Sequence, residues 1–267
     1  MTLVRLHDGM VDFVETGAGK PIVLLHSLLA DRAVFDRIVP LLATERHVIV
    51  PDLPGFGGSS SAGATIAGIA DRIAGLLEVL DLGADADVLG NGFGGFVASA
   101  LAIRHGAKFD RLVLADTGMS FTPEGKQSFY AMADRVRQNG MEAIVDVAMK
   151  RLFPEDFIVA HPEIVAERRS ALVKTNPEFF AEACHALAAL DLTDQIGTIR
   201  NRSLVVVGEL DSATPPEMSR ALAKSLPNAK LLEIPGCGHA PMVQEPETFV
   251  RTISGFLGLK GDAYRSL

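Results

Sequence analysis

Asp87-Val88-Leu89-Gly90-Asn91-Gly92-Phe93-Gly94-Gly95, residues 87–95, is the stretch that decides the fold of this chain. A short apolar run leads into a turn rich in glycine, and residues 93–105 then have the length and the alanine content of a helix. A strand, a tight turn and a helix in this order begin a crossover between two parallel strands. The stretch therefore predicts an α/β protein built on a parallel sheet.

The same alternation recurs on both sides of this turn. Short apolar runs rich in β-branched residues predict buried strands at 21–26, 47–51, 112–115, 203–207 and 230–234, and helical patterns follow at 216–225 and 246–257. Between residues 117 and 199 the strand signals stop, and helical patterns follow one another at 125–139, 141–152 and 178–190. We predict a mostly parallel sheet with helices on both faces, formed by residues 1–118 and 200–267, and an inserted helical cap over 119–199.

Composition limits the class of partner. With 267 residues, 48% of them hydrophobic, the chain can bury a large core. A net charge of −8, without long runs of Lys or Arg, argues against nucleic acid and against membrane surfaces as partners. The chain starts without a signal-peptide pattern, lacks an apolar run of about 18 residues, and has only two cysteines. We expect a cytoplasmic protein with a small-molecule partner; its oligomeric state is unknown from sequence.

The glycine turn fits two motifs, and the first is a dinucleotide fingerprint. Gly90, Gly92 and Gly95 match G-x-G-x-x-G, and Asp116 stands where an acidic residue would bind a ribose. This pattern predicts a nucleotide-dependent oxidoreductase. Such a motif usually opens its domain, however, whereas here several predicted strands precede it.

The second motif is a nucleophile elbow, G-x-S-x-G, in which Gly92 stands at the position of the serine. Downstream, Asp211 and His239 complete the order nucleophile, acid, histidine. Asp211 follows the strand predicted at 203–207, and ligands of open α/β sheets bind outside the carboxyl ends of the strands. The order predicts acyl-transfer chemistry in which Asp211 orients His239, with Asp116 as the second choice for the acid.

A turn early in the chain supplies candidates for binding the substrate carbonyl. His26-Ser27-Leu28-Leu29 follows the strand predicted at 21–26. Backbone N–H groups there and after the elbow stabilise an oxyanion, so Leu28 and Phe93 are the predicted donors and Ser27 a predicted substrate contact. As a nucleophile Ser27 carries little weight, because its neighbours lack the glycines of a strained elbow.

Over nearly all of its length the chain resembles the α/β-hydrolase superfamily, and within it the 3-oxoadipate enol-lactonase group. The matching segments are 26–29, 52–59, 90–95, 114–117, 139–141, 160–163, 208–216 and 235–241. The resemblance implies a hydrolase of a small ester or lactone, with or without a carboxylate group, that uses no cofactor. No metal site is predicted either, since no cluster of His, Cys and carboxylates has ligand spacing.

Gly92 departs from the pattern of that family. Without a hydroxyl, no acyl-enzyme forms at this position, and loss of the serine alone costs on the order of 10⁶ in kcat. Three explanations fit: a substitution that traps bound substrate, a natural relative that binds ligand without catalysis, and an enzyme in which His239 activates water directly. Because the flanking motifs are intact, the first is favoured, and Gly92→Ser is expected to raise activity by several orders of magnitude.

Other polar residues match the sequence patterns of functional sites less specifically than Asp211 and His239 do. Arg135, Arg137, Arg168 and Arg169 in the predicted cap are candidates for holding an acidic substrate, although solvated helix faces explain them as well. Cys237, two residues before His239, is interpreted as a small packed side chain and not as a thiol nucleophile.

Overall fold

The computed structural model describes residues 2–261, and its centre is one eight-stranded sheet in the order β1-β2-β4-β3-β5-β6-β7-β8. Strand β2 pairs antiparallel with β1 and β4, and all other pairs are parallel. The strands are β1 Thr2–Leu6, β2 Gly9–Thr16, β3 Lys20–Leu25, β4 Arg46–Pro51, β5 Asp87–Asn91, β6 Arg111–Ala115, β7 Arg202–Gly208 and β8 Ala229–Ile234. The predicted mostly parallel sheet is confirmed, and the antiparallel hairpin β1–β2 adds to it.

Helices connect the parallel strands. Those before β7 are α1 Val39–Leu42, α2 Ile66–Val79, α3 Phe93–His105, α4 Pro123–Asn139, α5 Val145–Leu152, α6 Glu155–Ala160, α7 Pro162–Val173 and α8 Pro177–Ala189. Those after it are α9 Pro216–Ser225, α10 Pro241–Gln244 and α11 Pro246–Leu257. Short 3₁₀ turns lie at Arg32–Phe35, Gly106–Lys108, Met141–Ile144 and Ile196–Thr198.

Helices α4 to α8 form a helical segment between β6 and β7. Helix α4 begins at a threonine cap, where the side chain of Thr122 accepts the N–H of Gly125, and it ends at Gly140 with φ 76°. Such a positive φ favours glycine at a helix end. The helix predicted over 141–152 is a 3₁₀ turn followed by α5. The division into core and cap domains stays a prediction.

Close packing explains two glycines at the junction of β5 and α3. A Cβ atom on Gly94 would lie 2.1 Å from the carbonyl oxygen of Leu25, and one on Gly90 would lie 2.2 Å from the carbonyl oxygen of Gly94. The N–H of Gly94 also donates to the carbonyl of His26 at 2.9 Å. Gly94 therefore lets the start of α3 pack against the end of β3, and Gly90 lets the same turn of α3 pack against β5.

Gly94→Ala tests this packing. The added methyl group would overlap the backbone carbonyls of Leu25 and His26, so we expect the free energy of unfolding to fall by about 3 kcal/mol, as overpacking does. Urea denaturation measures the change. Gly255→Ala is the matched control, because a Cβ on that α11 residue meets nothing within 4 Å and alanine favours helix by about 1 kcal/mol. Equal effects of the two substitutions would contradict the packing argument.

Candidate active site

Gly92 forms a sharp turn between β5 and α3. Its backbone has φ 53° and ψ −115°, a region that L-residues adopt only under strain. Its N–H donates to the carbonyl of Ala115, and its own carbonyl accepts the N–H groups of Gly95 and Phe96. The hydroxyl of Thr117 donates to the same carbonyl at 3.2 Å. Hydrogen bonds to both the N–H and the carbonyl of Gly92 therefore hold the turn in the geometry that an elbow requires.

Asp211 and His239 form a buried pair at the carboxyl ends of β7 and β8. The Nδ1 atom of His239 lies 2.9 Å from Oδ2 of Asp211. The other carboxylate oxygen accepts the N–H groups of Ala213 at 2.8 Å and of Thr214 at 3.0 Å. The Thr214 hydroxyl lies 2.8 Å from Oδ2. Sequence reasoning missed Thr214, although an aspartate that binds backbone N–H groups two and three residues on is a local pattern that can be searched for.

The charge of Asp211 fixes the state of the histidine ring. Burial by itself raises the pKa of this carboxyl, but the charge that His239 carries when protonated and the hydrogen bonds from His239 and Thr214 bring the pKa below its usual value. An ionised carboxylate only accepts hydrogen bonds, so the proton is assigned to Nδ1 of His239. Nε2 is then free to accept a proton from a neighbouring group.

Asp116 lies nearby but does not bind this histidine. Its Oδ1 accepts the N–H of Gly208 at 2.8 Å, and its Oδ2 accepts the amide of Asn91 at 3.2 Å. Burial, followed by the negative charge of Asp211, raises the pKa of Asp116 well above its usual value. Both oxygens of Asp116 are bound to these other groups and His239 binds Asp211 instead, while complete burial keeps Asp116 from binding a ribose.

Ser27 is the hydroxyl that contacts the histidine. Its Oγ lies 3.0 Å from Nε2 of His239. The Ser27 carbonyl accepts hydrogen bonds from Nδ1 of His26 at 2.9 Å and from the N–H of Ala30 at 3.3 Å. The other ring nitrogen of His26 accepts the N–H of Leu53, and burial lowers the pKa of this imidazole, which keeps it neutral. Sequence reasoning gave Ser27 little weight as a nucleophile and did not predict this contact.

Ser27 and a side chain at position 92 would occupy the same space. A Cβ atom built on Gly92 would lie 2.6 Å from Oγ of Ser27 and 2.5 Å from Nε2 of His239. Real Cβ atoms essentially never make contacts this short. The absence of a side chain at position 92 is therefore what allows Ser27 to reach the ring.

The two predicted oxyanion donors face the same cavity. Leu28 and Phe93 both line it, and within residues 2–261 neither backbone N–H donates to a protein acceptor. Phe93 is the first residue of α3, where the helix dipole favours negative charge. The structure thus brings together all six predicted site residues, Gly92, Asp211, His239, Leu28, Phe93 and Ser27. Their catalytic roles stay predictions.

The cavity encloses about 380 Å³ of empty space, a figure that includes the space open to solvent at its mouth. Its walls are mostly apolar and include Phe96, Phe121 and Phe129. Arg151 of α5 also lines it, and within residues 2–261 this guanidinium has no ion-pair or hydrogen-bond partner.

The arginines that sequence considered do not line this cavity. Arg137 pairs with Glu178, Arg168 with Asp31 and Glu167, and Arg169 with Asp146, while Arg135 lies on an exposed part of α4. Sequence reasoning missed Arg151, because all five arginines lie in similar helical patterns and only packing decides which one faces inward.

Thiol and metal chemistry have no support in the described residues. Both cysteines are unpaired and buried, and burial, followed by the charges of Glu245 and Asp116, raises the pKa of Cys237 to about 12. Within residues 2–261 no three His, Cys, Asp or Glu side chains are grouped to hold a metal ion. No helix in that part of the chain is long and apolar enough to cross a membrane.

The chain belongs to the alpha/beta hydrolase family, whose model matches residues 22–252. The structure superposes on the enol-lactonase from Burkholderia xenovorans LB400 with a TM-score of 0.91, at 28% identity over 96% of this chain and 100% of that one. It superposes on a thermophilic esterase from Thermogutta terrifontis with a TM-score of 0.90, at 32% identity over 97% of this chain and 98% of that one. A 2-hydroxy-6-oxo-2,4-heptadienoate hydrolase from Pseudomonas putida is 30% identical over 91% of each chain.

These similarities confirm the α/β-hydrolase fold class and the resemblance to enol-lactonases. The oxidoreductase hypothesis gains no support: the matched family model is that of hydrolases, and Asp116, the acidic residue of the hypothesis, is buried and bound to backbone and amide groups. Relatives of this chain include esterases, an enol-lactonase and carbamate hydrolases, so membership of the family leaves the substrate open.

Proposed function

We propose that this protein hydrolyses a small ester or lactone that carries a carboxylate group. One observation carries the proposal: His239, oriented by the ionised Asp211, presents Nε2 at the base of a cavity beside the unpaired N–H groups of Leu28 and Phe93. A general base next to two oxyanion donors is the arrangement that acyl transfer needs. No cofactor enters this chemistry.

The carboxylate in the proposal rests on Arg151. A guanidinium without a protein partner at the wall of an apolar cavity would bind a substrate carboxylate by charge-assisted hydrogen bonds. Among similar proteins, one relative is named a heptadienoate hydrolase, and the Thermogutta terrifontis esterase has malate bound. Heptadienoate and malate are both carboxylates, which supports a carboxylated substrate for this chain.

Position 92 cannot supply a nucleophile in this proposal. Gly92 has no side chain, so a covalent step needs another group, and a chain without one would be a hydrolase of strongly reduced activity. A natural relative that binds its ligand without cleaving it is the second candidate function. The cytoplasmic location expected from sequence stays a prediction.

Arg151→Gln tests the substrate class. We compare mono-p-nitrophenyl succinate with p-nitrophenyl butyrate, which has a similar length and no carboxylate. Loss of the charge-assisted hydrogen bonds should raise KM for the succinate about 10- to 100-fold, with little change in KM for the butyrate. Arg169→Gln is the control, because Arg169 is paired with Asp146 outside the cavity.

Two outcomes would contradict this function. If both esters lose affinity equally in Arg151→Gln, the arginine supports the wall of the cavity and does not select the substrate. If the succinate binds saturably but neither this panel nor γ-butyrolactone-γ-carboxylate is cleaved, the chain is a binding protein and hydrolysis is overturned.

A further inference from the structure

We infer that Ser27 is the nucleophile of this hydrolase, so that Ser27, His239 and Asp211 form the triad and the vacant elbow at Gly92 makes room for it. The inference rests on the proposed function, because it names the group that attacks the substrate in that reaction. It starts from an unbroken chain of contacts: Oγ of Ser27 to Nε2 of His239 at 3.0 Å, and Nδ1 of His239 to Oδ2 of Asp211 at 2.9 Å.

The direction of these hydrogen bonds suits proton abstraction. Because Nδ1 of His239 carries the proton that Asp211 accepts, Nε2 accepts the hydroxyl proton of Ser27. Ser27 is buried at the base of the cavity and lines it together with Leu28 and Phe93. A hydroxyl that contacts a carboxylate-oriented histidine and faces a ligand cavity has the geometry of an activated nucleophile.

The same oxyanion donors suit a nucleophile at position 27 as well as one at position 92. At a normal elbow, one donor is the N–H of the residue after the nucleophile, and the other comes from the turn after an earlier strand. Here Leu28 follows Ser27 and Phe93 follows Gly92, so each of the two positions is succeeded by a donor. Exchange of the hydroxyl between positions 27 and 92 therefore keeps the same pair of N–H groups.

Hydrogen bonds hold the turn that bears Ser27 in place, although the turn has no glycine next to the serine. His26 binds the Ser27 carbonyl through one ring nitrogen and the Leu53 N–H through the other, and its own carbonyl accepts the N–H of Gly94. This network fixes Ser27 against the start of α3. The pre-organisation that a strained elbow gives to its serine is supplied here by hydrogen bonds and burial.

The chemical steps balance with water as the only co-reactant. Oγ of Ser27 bonds to the ester carbonyl carbon as its proton moves to Nε2 of His239, and the oxyanion lies between the N–H groups of Leu28 and Phe93. The bond from carbon to the alkoxy oxygen then breaks, and that oxygen takes the proton from His239. Water next attacks the acyl-serine and gives a proton to His239, and Ser27 regains it as the acid leaves.

The test is covalent labelling with diisopropyl fluorophosphate, whose phosphorus would bond to Oγ of Ser27 with loss of fluoride. The site is assigned by peptide mass spectrometry; Ser27 is the only hydroxyl residue between residues 17 and 32, and residues 88–98 contain none. We expect stoichiometric labelling of the wild-type protein at Ser27. Labelling should be lost in Ser27→Ala and His239→Ala and kept in Ser99→Ala, a control at a buried serine of α3 outside the cavity.

Hydrolysis of p-nitrophenyl acetate and mono-p-nitrophenyl succinate is measured on the same four proteins. We expect kcat in Ser27→Ala to fall by at least about 10³-fold, together with loss of the pre-steady-state burst. Labelling of the wild-type protein needs no variant, so the inference can be overturned even if Ser27→Ala fails to fold.

The remaining outcomes separate the two proposals. Turnover that survives Ser27→Ala but disappears in His239→Ala means that His239 activates water, which overturns Ser27 and keeps the proposed function. Labelling at Ser27 without cleavage of any ester supports Ser27 as the activated hydroxyl and overturns the proposed hydrolysis. Neither labelling nor turnover overturns both.

Discussion

Asp211→Asn is expected to lower kcat for ester hydrolysis by about 10⁴-fold and leave the fold intact. The N–H groups of Ala213 and Thr214 point at Oδ1 of Asp211, so the oxygen of an asparagine amide would take that place. Its NH₂ group would then face Nδ1 of His239 and donate to it. The ring would carry its proton on Nε2, which could no longer accept a proton from a hydroxyl or a water. Steady-state kinetics and circular dichroism check the result.

Asp116→Asn is the matched control for this substitution. Both aspartates are buried near the same edge of the sheet, and asparagine tolerates the φ of 51° at position 116. Asp116 contacts the N–H of Gly208 and the amide of Asn91 and has no hydrogen bond to His239. Since no transition-state contact is removed, we expect kcat to change by less than about tenfold. A larger loss in Asp116→Asn than in Asp211→Asn would make Asp116 the acid of the triad.

Moving the hydroxyl from position 27 to position 92 is expected to require both substitutions together. In Gly92→Ser alone, the new Cβ would be 2.5 Å from Nε2 of His239 and 2.6 Å from Oγ of Ser27, so the ring must move away from Ser27. The positive φ adds strain of about 1–3 kcal/mol. We expect this variant to melt at a lower temperature and to lose at least about tenfold in kcat through misplacement of the base.

The double variant Ser27→Gly with Gly92→Ser should recover what each single variant loses. Ser27→Gly alone removes the hydroxyl and should cost at least about 10³-fold in kcat, whereas the pair should come within about tenfold of the wild-type protein. The coupling is read from kcat/KM of all four proteins on one ester. A gain of several orders of magnitude in Gly92→Ser alone, as sequence analysis expects, would instead support a vacant nucleophile position and an inactive Ser27.

Much of the fold is predictable because its signals are local. The strands from β3 to β8 read as short apolar runs, and the predicted ranges agree with the structure to within about two residues at each end. Helices α3, α9 and α11 match their predicted bounds. The hairpin β1–β2 was not predicted, because its outer strand is only partly buried and lacks a continuous apolar run. Its place in the sheet depends on pairing with β4, which is distant in sequence.

The sequence by itself determined the glycine turn and the order of Asp211 and His239, since these follow from short motifs and from strand ends that meet at one edge of a parallel sheet. Only the tertiary structure decided that Ser27, and not position 92, brings a hydroxyl to His239, and that Arg151 is the arginine at the cavity. The physical reason is that both features depend on the distances between side chains that are far apart in the sequence. Packing of β3, α3, α5 and the loop after β8 sets those distances, and no local pattern encodes them.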